Sequence, residues 1–206
     1  MPFRSYVADE RALTTLAASQ GGFFTSRQAA TIGYTAPKRT YHVHAGNWVR
    51  ERRGIFRLST QPLPVRPDLI LWWLWSRNRQ EQPQGVYSHQ TALSLHELTD
   101  VMPSRLHMTV PKTFRRSAAI PKSILLHMAD LPSSDIEQID GVPVTKALRT
   151  LIDVEASGEV PVPDLQLAFA EATRSGKITR AEIAVAKTDA AQRDVLRLLQ
   201  GKQGTR

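Results

Sequence analysis

The sequence predicts an α+β protein: an N-terminal winged helix-turn-helix domain, then a mixed α/β domain. Three observations predict it. Residues 23–58 read as two short capped helices and a two-stranded hairpin tipped with arginine. Positive charge is concentrated in that same region. A proline-rich stretch, 61–67, then separates it from a longer region of mixed strand alternation and helical periodicity.

Residues 9–19 form the first expected helix, with Leu13, Leu16 and Ala17 on one face, and Gly21-Gly22 break it. Thr25 and Gln28 have the spacing of a capping box, in which each side chain satisfies the other residue's backbone N–H. The helix they open runs 26–32 and ends at Gly33, expected in the left-handed region that glycine tolerates. Thr35 is placed to cap the next helix, 36–45, with Pro37 in its first turn, where a missing N–H costs nothing. Ala36, Thr40 and Val43 recur at helical spacing and are expected to face the core. Lys38, Tyr41, His42 and Ala45 then project outward, with Arg39 and His44 on the flanks. Residues 48–51 and 55–58 are strand-like, joined by Arg52-Arg53-Gly54, where glycine permits the positive φ of a tight hairpin. Arg50, Arg52, Arg53 and Arg57 put four guanidinium groups on one small ribbon.

A basic, aromatic outer face on the second helix of such a unit is where a recognition helix meets the major groove. Residues 1–60 hold 9 Lys and Arg against 3 Asp and Glu, a net +6, whereas residues 61–206 hold 18 against 16, a net +2. Clustered positive charge of this kind is the footprint of phosphate binding. Duplex DNA is the expected partner.

The expected domains are 1–60 for DNA binding, 61–67 as an extended linker with three prolines, 68–200 as the α+β domain, and 201–206 as a frayed tail. Residues 68–77 read as a helix with Trp72, Trp73 and Trp75 mostly in a core; its apolar run, 69–75, is far short of the ~20 residues that span a bilayer. Ser88 is placed to cap a helix over 89–98. His89 and His96 share its face at a spacing of seven, which suits structural hydrogen bonding better than a metal, so no metal or cofactor is expected. Residues 105–110 alternate as a half-buried strand and 124–128 form another, with a basic loop between them. Residues 135–139 and 142–144 suggest a hairpin turned at Asp140-Gly141. Four helices follow: 146–156 capped by Thr145, one capped by Asp164, one opened by the capping box Thr179–Glu182, and 188–200. The absence of cysteine excludes disulfides and thiolate metal sites and fits a reducing cytoplasm. An N-terminus charged at Arg4, Asp9 and Glu10 does not resemble a signal peptide.

The chain resembles the AbiEi family of antitoxins, the repressor-antitoxin half of type IV toxin–antitoxin systems. The matching pieces are Gly22-Phe-Phe-Thr-Ser-Arg-Gln-Ala-Ala30 with Gly33, then Ala45-Gly-Asn-Trp48 and Arg53-Gly-Ile-Phe-Arg57. They continue as Ser88-His-Gln-Thr-Ala-Leu-Ser-Leu-His96, Pro103-Ser-Arg-Leu-His-Met-Thr-Val-Pro111 and Val144-Thr-Lys-Ala-Leu-Arg-Thr-Leu-Ile-Asp153. The resemblance implies a bacterial, cytoplasmic protein that represses its own operon by binding inverted-repeat operator DNA. It also implies a C-terminal domain that neutralises a cognate nucleotidyltransferase toxin. Carried onto this sequence, the DNA-binding positions are Lys38, Arg39, Tyr41, His42 and the hairpin arginines Arg50, Arg52, Arg53 and Arg57; Thr25, Ser26 and Arg27 are expected to bind DNA as well. A monomer in solution and a dimer on DNA are both compatible with it. Two other readings stay open: a winged-helix transcription factor with a ligand-sensing second domain, and a metal-dependent nuclease. The second requires clustered carboxylates, and Asp130, Asp135, Glu137, Asp140 and Asp153 are scattered in the sequence.

Overall fold

The structure, a computed structural model, describes residues 6–100, 103–116 and 119–201, apart from the side chain of Ala191. The charge at Arg4 and most of the expected tail, 202–206, lie outside them. The protein is of mixed α and β construction. Its packing divides it into two units, Met1–Gly85 with Asp140–Val142 and Val86–Ile139 with Pro143–Arg206.

In the first unit, α1 (Tyr6–Ala18) buries Leu13 and Ala17. A strand that the sequence did not announce, β1 (Phe23–Thr25), follows; it is only three residues long and buried throughout. Then come α2 (Ser26–Ile32), α3 (Ala36–His44), β2 (Trp48–Arg52) and β3 (Ile55–Leu58). The sheet order is β1-β3-β2, antiparallel, with β3 central. Both halves of the Thr25–Gln28 capping box form: the Gln28 N–H donates to Thr25 Oγ1 at 3.1 Å, and the Thr25 N–H to Gln28 Oε1 at 2.7 Å. Gly33 adopts φ +130 rather than the left-handed helical value, and a Cβ there would meet Asp9 Oδ2 at 2.8 Å. Thr35 stands at the N-cap of α3 without a side-chain cap bond. The core gathers Leu13, Ala17, Phe24, Ala29, Tyr34, Trp48, Phe56 and Leu58. Phe24 lies edge-on to Trp48 at 4.8 Å and stacks on Phe56 at 5.9 Å, geometries that aromatic quadrupoles favour.

Helix α4 (Pro67–Trp75) buries Leu69, Ile70, Trp72, Leu74 and Trp75. The sequence places a boundary at 61–67; the packing keeps α4 with the first unit. Glycine at 21 makes room for it, because a Cβ there would overlap Ile70. Ser76 fastens the chain beyond α4: its Oγ donates to the Trp73 carbonyl and accepts from the N–H groups of Gln84 and Gly85.

The second unit holds β4 (Val86–Tyr87), α5 (His89–Leu95), β5 (Leu106–Val110), β6 (Ile124–Met128), β7 (Ile136–Ile139) and, except for its first residue, β8 (Val142–Thr145). The strand order is β6-β5-β4-β8-β7, with β5 parallel to β6 and β4 antiparallel to β5. Expected to be half-buried, β5 is buried at all five residues, as a strand covered on both faces must be. Helices α6 (Ala147–Ser157), α7 (Val162–Arg174), α8 (Arg180–Ala186) and α9 (Ala190–Leu199) complete it. Their apolar faces meet in one core that includes Leu148, Leu151, Val154, Leu165, Phe169, Leu196 and Leu199. The Thr179–Glu182 capping box forms, whereas α6 and α7 begin after Lys146 and Pro161 rather than at Thr145 and Asp164. His96 Nε2 donates to the Thr145 carbonyl at 2.7 Å, a structural hydrogen bond of the expected kind.

Candidate nucleic-acid interface

The residues expected to meet DNA lie on the start of α2, on α3 and on the β2–β3 hairpin. On α3 the outward face is rotated from its expected setting. Ala36 and Thr40 are exposed, and His42 is buried at 7% exposure. The cause is Trp48, the first residue of β2. The His42 ring lies 4.9 Å from the Trp48 ring and 14° from parallel to it, and meets Tyr34 edge-on at 5.4 Å. Asn47 Nδ2 donates to His42 Nδ1 at 3.2 Å. Burial pushes His42 below the ordinary imidazole value, against the pull of Glu10. It is a neutral core residue, and its expected outward position is corrected here. An imidazole at the edge of a polar helix carries no periodicity signal of its own; only the aromatic partner six residues on marks it as core.

The exposed face of α3 comprises Lys38, Thr40, Tyr41 and His44. Tyr41 is 66% exposed, a large aromatic surface held out on a basic helix. Arg39 is half-buried, and its Nη1 donates to the Tyr34 carbonyl at 2.7 Å, which ties α3 to the turn before it.

Each hairpin arginine has a different environment. A bulge in β2 between Arg50 and Arg52 breaks the strand's alternation. Arg50 is exposed and lies over the Phe56 ring at 5.6 Å. Arg52 lies over the Trp72 ring at 4.0 Å, a cation–π contact that anchors the hairpin to α4. Arg53, at the tip, is exposed and has no hydrogen bond or ion pair among the described residues. Arg57 is not a free cation: Nε pairs with Glu51 Oε1 at 2.9 Å, Nη1 donates to the Leu58 carbonyl, and only 12% of the side chain is exposed. Its place among the outward guanidinium groups is corrected accordingly.

Thr25 is fully buried. Besides capping α2 it donates to Glu81 Oε2 at 2.7 Å, and Glu81 pairs with Arg77 at 3.1 Å. Its hydroxyl is spent inside the protein. The Ser26 N–H donates to the Gly54 carbonyl at 2.9 Å, joining α2 to the hairpin turn. Arg27 is exposed, and its Nη1 donates to the Arg79 carbonyl at 2.6 Å. Lys38, Tyr41, Arg50 and Arg53 are the exposed side chains of this surface; Lys38 Nζ reaches the Gly33 carbonyl at 3.5 Å and Arg50 rests on Phe56, while Arg53 makes no hydrogen bond or ion pair among the described residues.

Residues 11–59 match the family model described as "Transcriptional regulator, AbiEi antitoxin". No curated protein matches the chain. Among solved structures, the RV2827C protein from Mycobacterium tuberculosis is similar in fold, with a TM-score of 0.57 over 98% of this chain and 78% of that one, at 13% sequence identity. No helix among the described residues is long and apolar enough to cross a membrane. The matched segment runs from within α1 to just past the β2–β3 hairpin, and over these residues the chain is similar to the AbiEi antitoxin regulators.

Proposed function

We propose that the N-terminal unit is a winged helix-turn-helix that binds duplex DNA, with α3 as recognition helix and the β2–β3 hairpin as wing. The observation that carries this reading is the sorting of the basic side chains. Arg39 and Arg57 are half-buried and committed to a carbonyl and a carboxylate, while Arg52, though exposed, lies over the Trp72 ring. Arg53 and Arg50, with Lys38 and Tyr41, stay exposed on the two elements that such a unit presents to DNA. Arg50 and Arg53 supply salt-dependent phosphate contacts, and Lys38 and Tyr41 face the bases. The AbiEi match over the same residues supports the regulatory role.

On this reading the chain is a non-enzymatic cytoplasmic repressor-antitoxin that binds an inverted repeat in front of its own operon. The α+β region after the linker neutralises a nucleotidyltransferase toxin encoded beside it. Replacing Lys38 with Ala tests the base-reading role. Loss of ~1–3 kcal/mol on the operator alone, with relaxed specificity, is the expected result; equal weakening on every sequence assigns Lys38 to a phosphate. Co-expression with the neighbouring toxin gene tests the antitoxin role: rescue of growth by residues 61–206 in the full chain carrying silenced wing arginines is expected, and continued toxicity rejects it.

A further inference from the structure

Three histidines far apart in sequence converge in the second unit. His107 lies on β5 and His127 on β6, and the parallel register pairs His107 with Leu125 and Thr109 with His127. The two imidazoles are thus diagonal neighbours on one face of the sheet. His89, the first residue of α5, completes the group. One ring nitrogen from each lies within 4.8 Å of the other two. We propose that His89, His107 and His127 form a three-imidazole site for a divalent transition metal of the zinc class. This site is independent of the DNA-binding reading.

The geometry supports it at several points. His127 Nε2 and His107 Nδ1 are 3.2 Å apart. Two nitrogens bound to one tetrahedral ion at 2.0–2.1 Å stand about 3.3 Å apart, so this pair already has ligand spacing. The His89 ring lies parallel to that of His127, with centroids 3.5 Å apart and planes 11° from parallel. Closing on an ion requires His89 to turn about its Cβ–Cγ bond, a soft torsion. Beside it, Ser88 Oγ accepts from Thr109 Oγ1 at 2.7 Å and lies 2.9 Å from His89 Nδ1. With Nδ1–H donating to that hydroxyl, Nε2 keeps its lone pair for a metal, which is how outer-shell partners fix a ligand's tautomer. His89 is held at φ +51, an uncommon backbone for a residue with a side chain, of the kind that clusters at functional sites. The His107 N–H donates to Thr91 Oγ1 at 2.8 Å, so β5 is fixed to α5 at this point.

The electrostatics keep the three imidazoles in the neutral form that can bind a metal. Burial holds His89 down at about 3, and also lowers His107 and His127, so all three are neutral ligands at pH 7. Glu159 acts on His107 and His127 with the sign that favours a positive charge. Arg149, the cation that opposes it at His89, is compensated by ion pairs to Asp135 at 3.0 Å and Asp153 at 2.9 Å. His89 and His127 are half-buried, which leaves a side open for a fourth ligand. Three imidazoles without a thiolate suit zinc, cobalt, nickel or copper rather than magnesium or calcium.

The test uses the full chain stripped with chelator and titrated with Co(II), then with Zn(II). The expected result is a visible absorption of four-coordinate cobalt that saturates at one ion per chain and is displaced by zinc. Zinc should also raise the unfolding midpoint. His127→Gln should weaken binding at least about tenfold, and Ser88→Ala about tenfold to a hundredfold, the loss typical of an outer-shell partner. Far-UV circular dichroism confirms that each variant is folded; should His107→Gln fail to fold, His127→Gln, at a half-exposed position, carries the test. Absence of a saturating one-to-one signal overturns the proposal, as does cobalt binding that persists unweakened in His127→Gln. In either case the 3.2 Å contact is an N–H···N hydrogen bond between neutral imidazoles.

Discussion

His42 lies flat against Trp48, centroids 4.9 Å apart and planes 14° from parallel, and this contact sets the rotation of α3. It turns an imidazole that the sequence places on the outer face into the link between the helix and the first strand of the hairpin. His42→Ala should therefore act on stability, not recognition. Truncating a buried ring costs about 3 kcal/mol, seen as a lower urea midpoint, while DNA affinity measured under folded conditions stays near that of the parent. His42→Phe keeps the ring and loses only the Asn47 bond, and should cost about 1 kcal/mol.

Thr25 serves two bonds at once, capping α2 and donating to Glu81. Thr25→Ala should destabilise the first unit by about 1–2 kcal/mol, at the upper end for a lost cap, because Glu81 also loses a partner. Thr25→Ser preserves both bonds and should recover most of the loss. Chemical denaturation of the two variants checks this.

Gly54 turns the hairpin at φ +77, and a Cβ there would come within 3.2 Å of Arg77 Nη2 and 3.4 Å of Ser26 Oγ. Gly54→Ala should cost more than about 1 kcal/mol, because the positive φ is unfavourable for alanine whatever space is made. The same variant should weaken DNA binding by displacing Arg53, which Gly46→Ala, with open space around its Cβ position, should not do to the wing.

Tyr34 titrates late. Burial first, then Tyr6, Glu10 and Asp9, push its phenol up to about 12. The folded state thus holds this proton more tightly than the unfolded chain, whose phenol ionises near 10. Its contribution is complete below pH 10 and is lost as pH rises from about 10 to 12. Spectrophotometric titration should show a late phenolate step that is absent in Tyr34→Phe, and the variant's stability should fall less over that interval.

The elements that local chemistry specifies were legible in the sequence. The Thr25–Gln28 and Thr179–Glu182 boxes, β3 and β6 fall where their residues place them, because caps, turns and alternation are written within a few positions. What local pattern does not carry was not legible. β1 is three residues and exists only because β3 offers it a partner. Trp48 decides the facing of His42 and Glu51 decides the fate of Arg57, and neither pairing has a fixed spacing that a sequence pattern encodes. The His89–His107–His127 group was invisible for the same reason: it is assembled by the parallel register of β5 and β6, with the connection between them contributing nothing to the spacing.

The most direct test of the central claim is the salt dependence of binding to the DNA upstream of the protein's own gene, compared with scrambled duplex, for the parent and for Arg50→Ala/Arg53→Ala. The account predicts selective binding by the parent, and a log–log salt slope shallower by about 2 in the double variant, close to one unit for each lost phosphate contact. A slope unchanged by the double substitution, or equal affinity for operator and scrambled DNA, contradicts it and removes α3 and the hairpin as the reading surface.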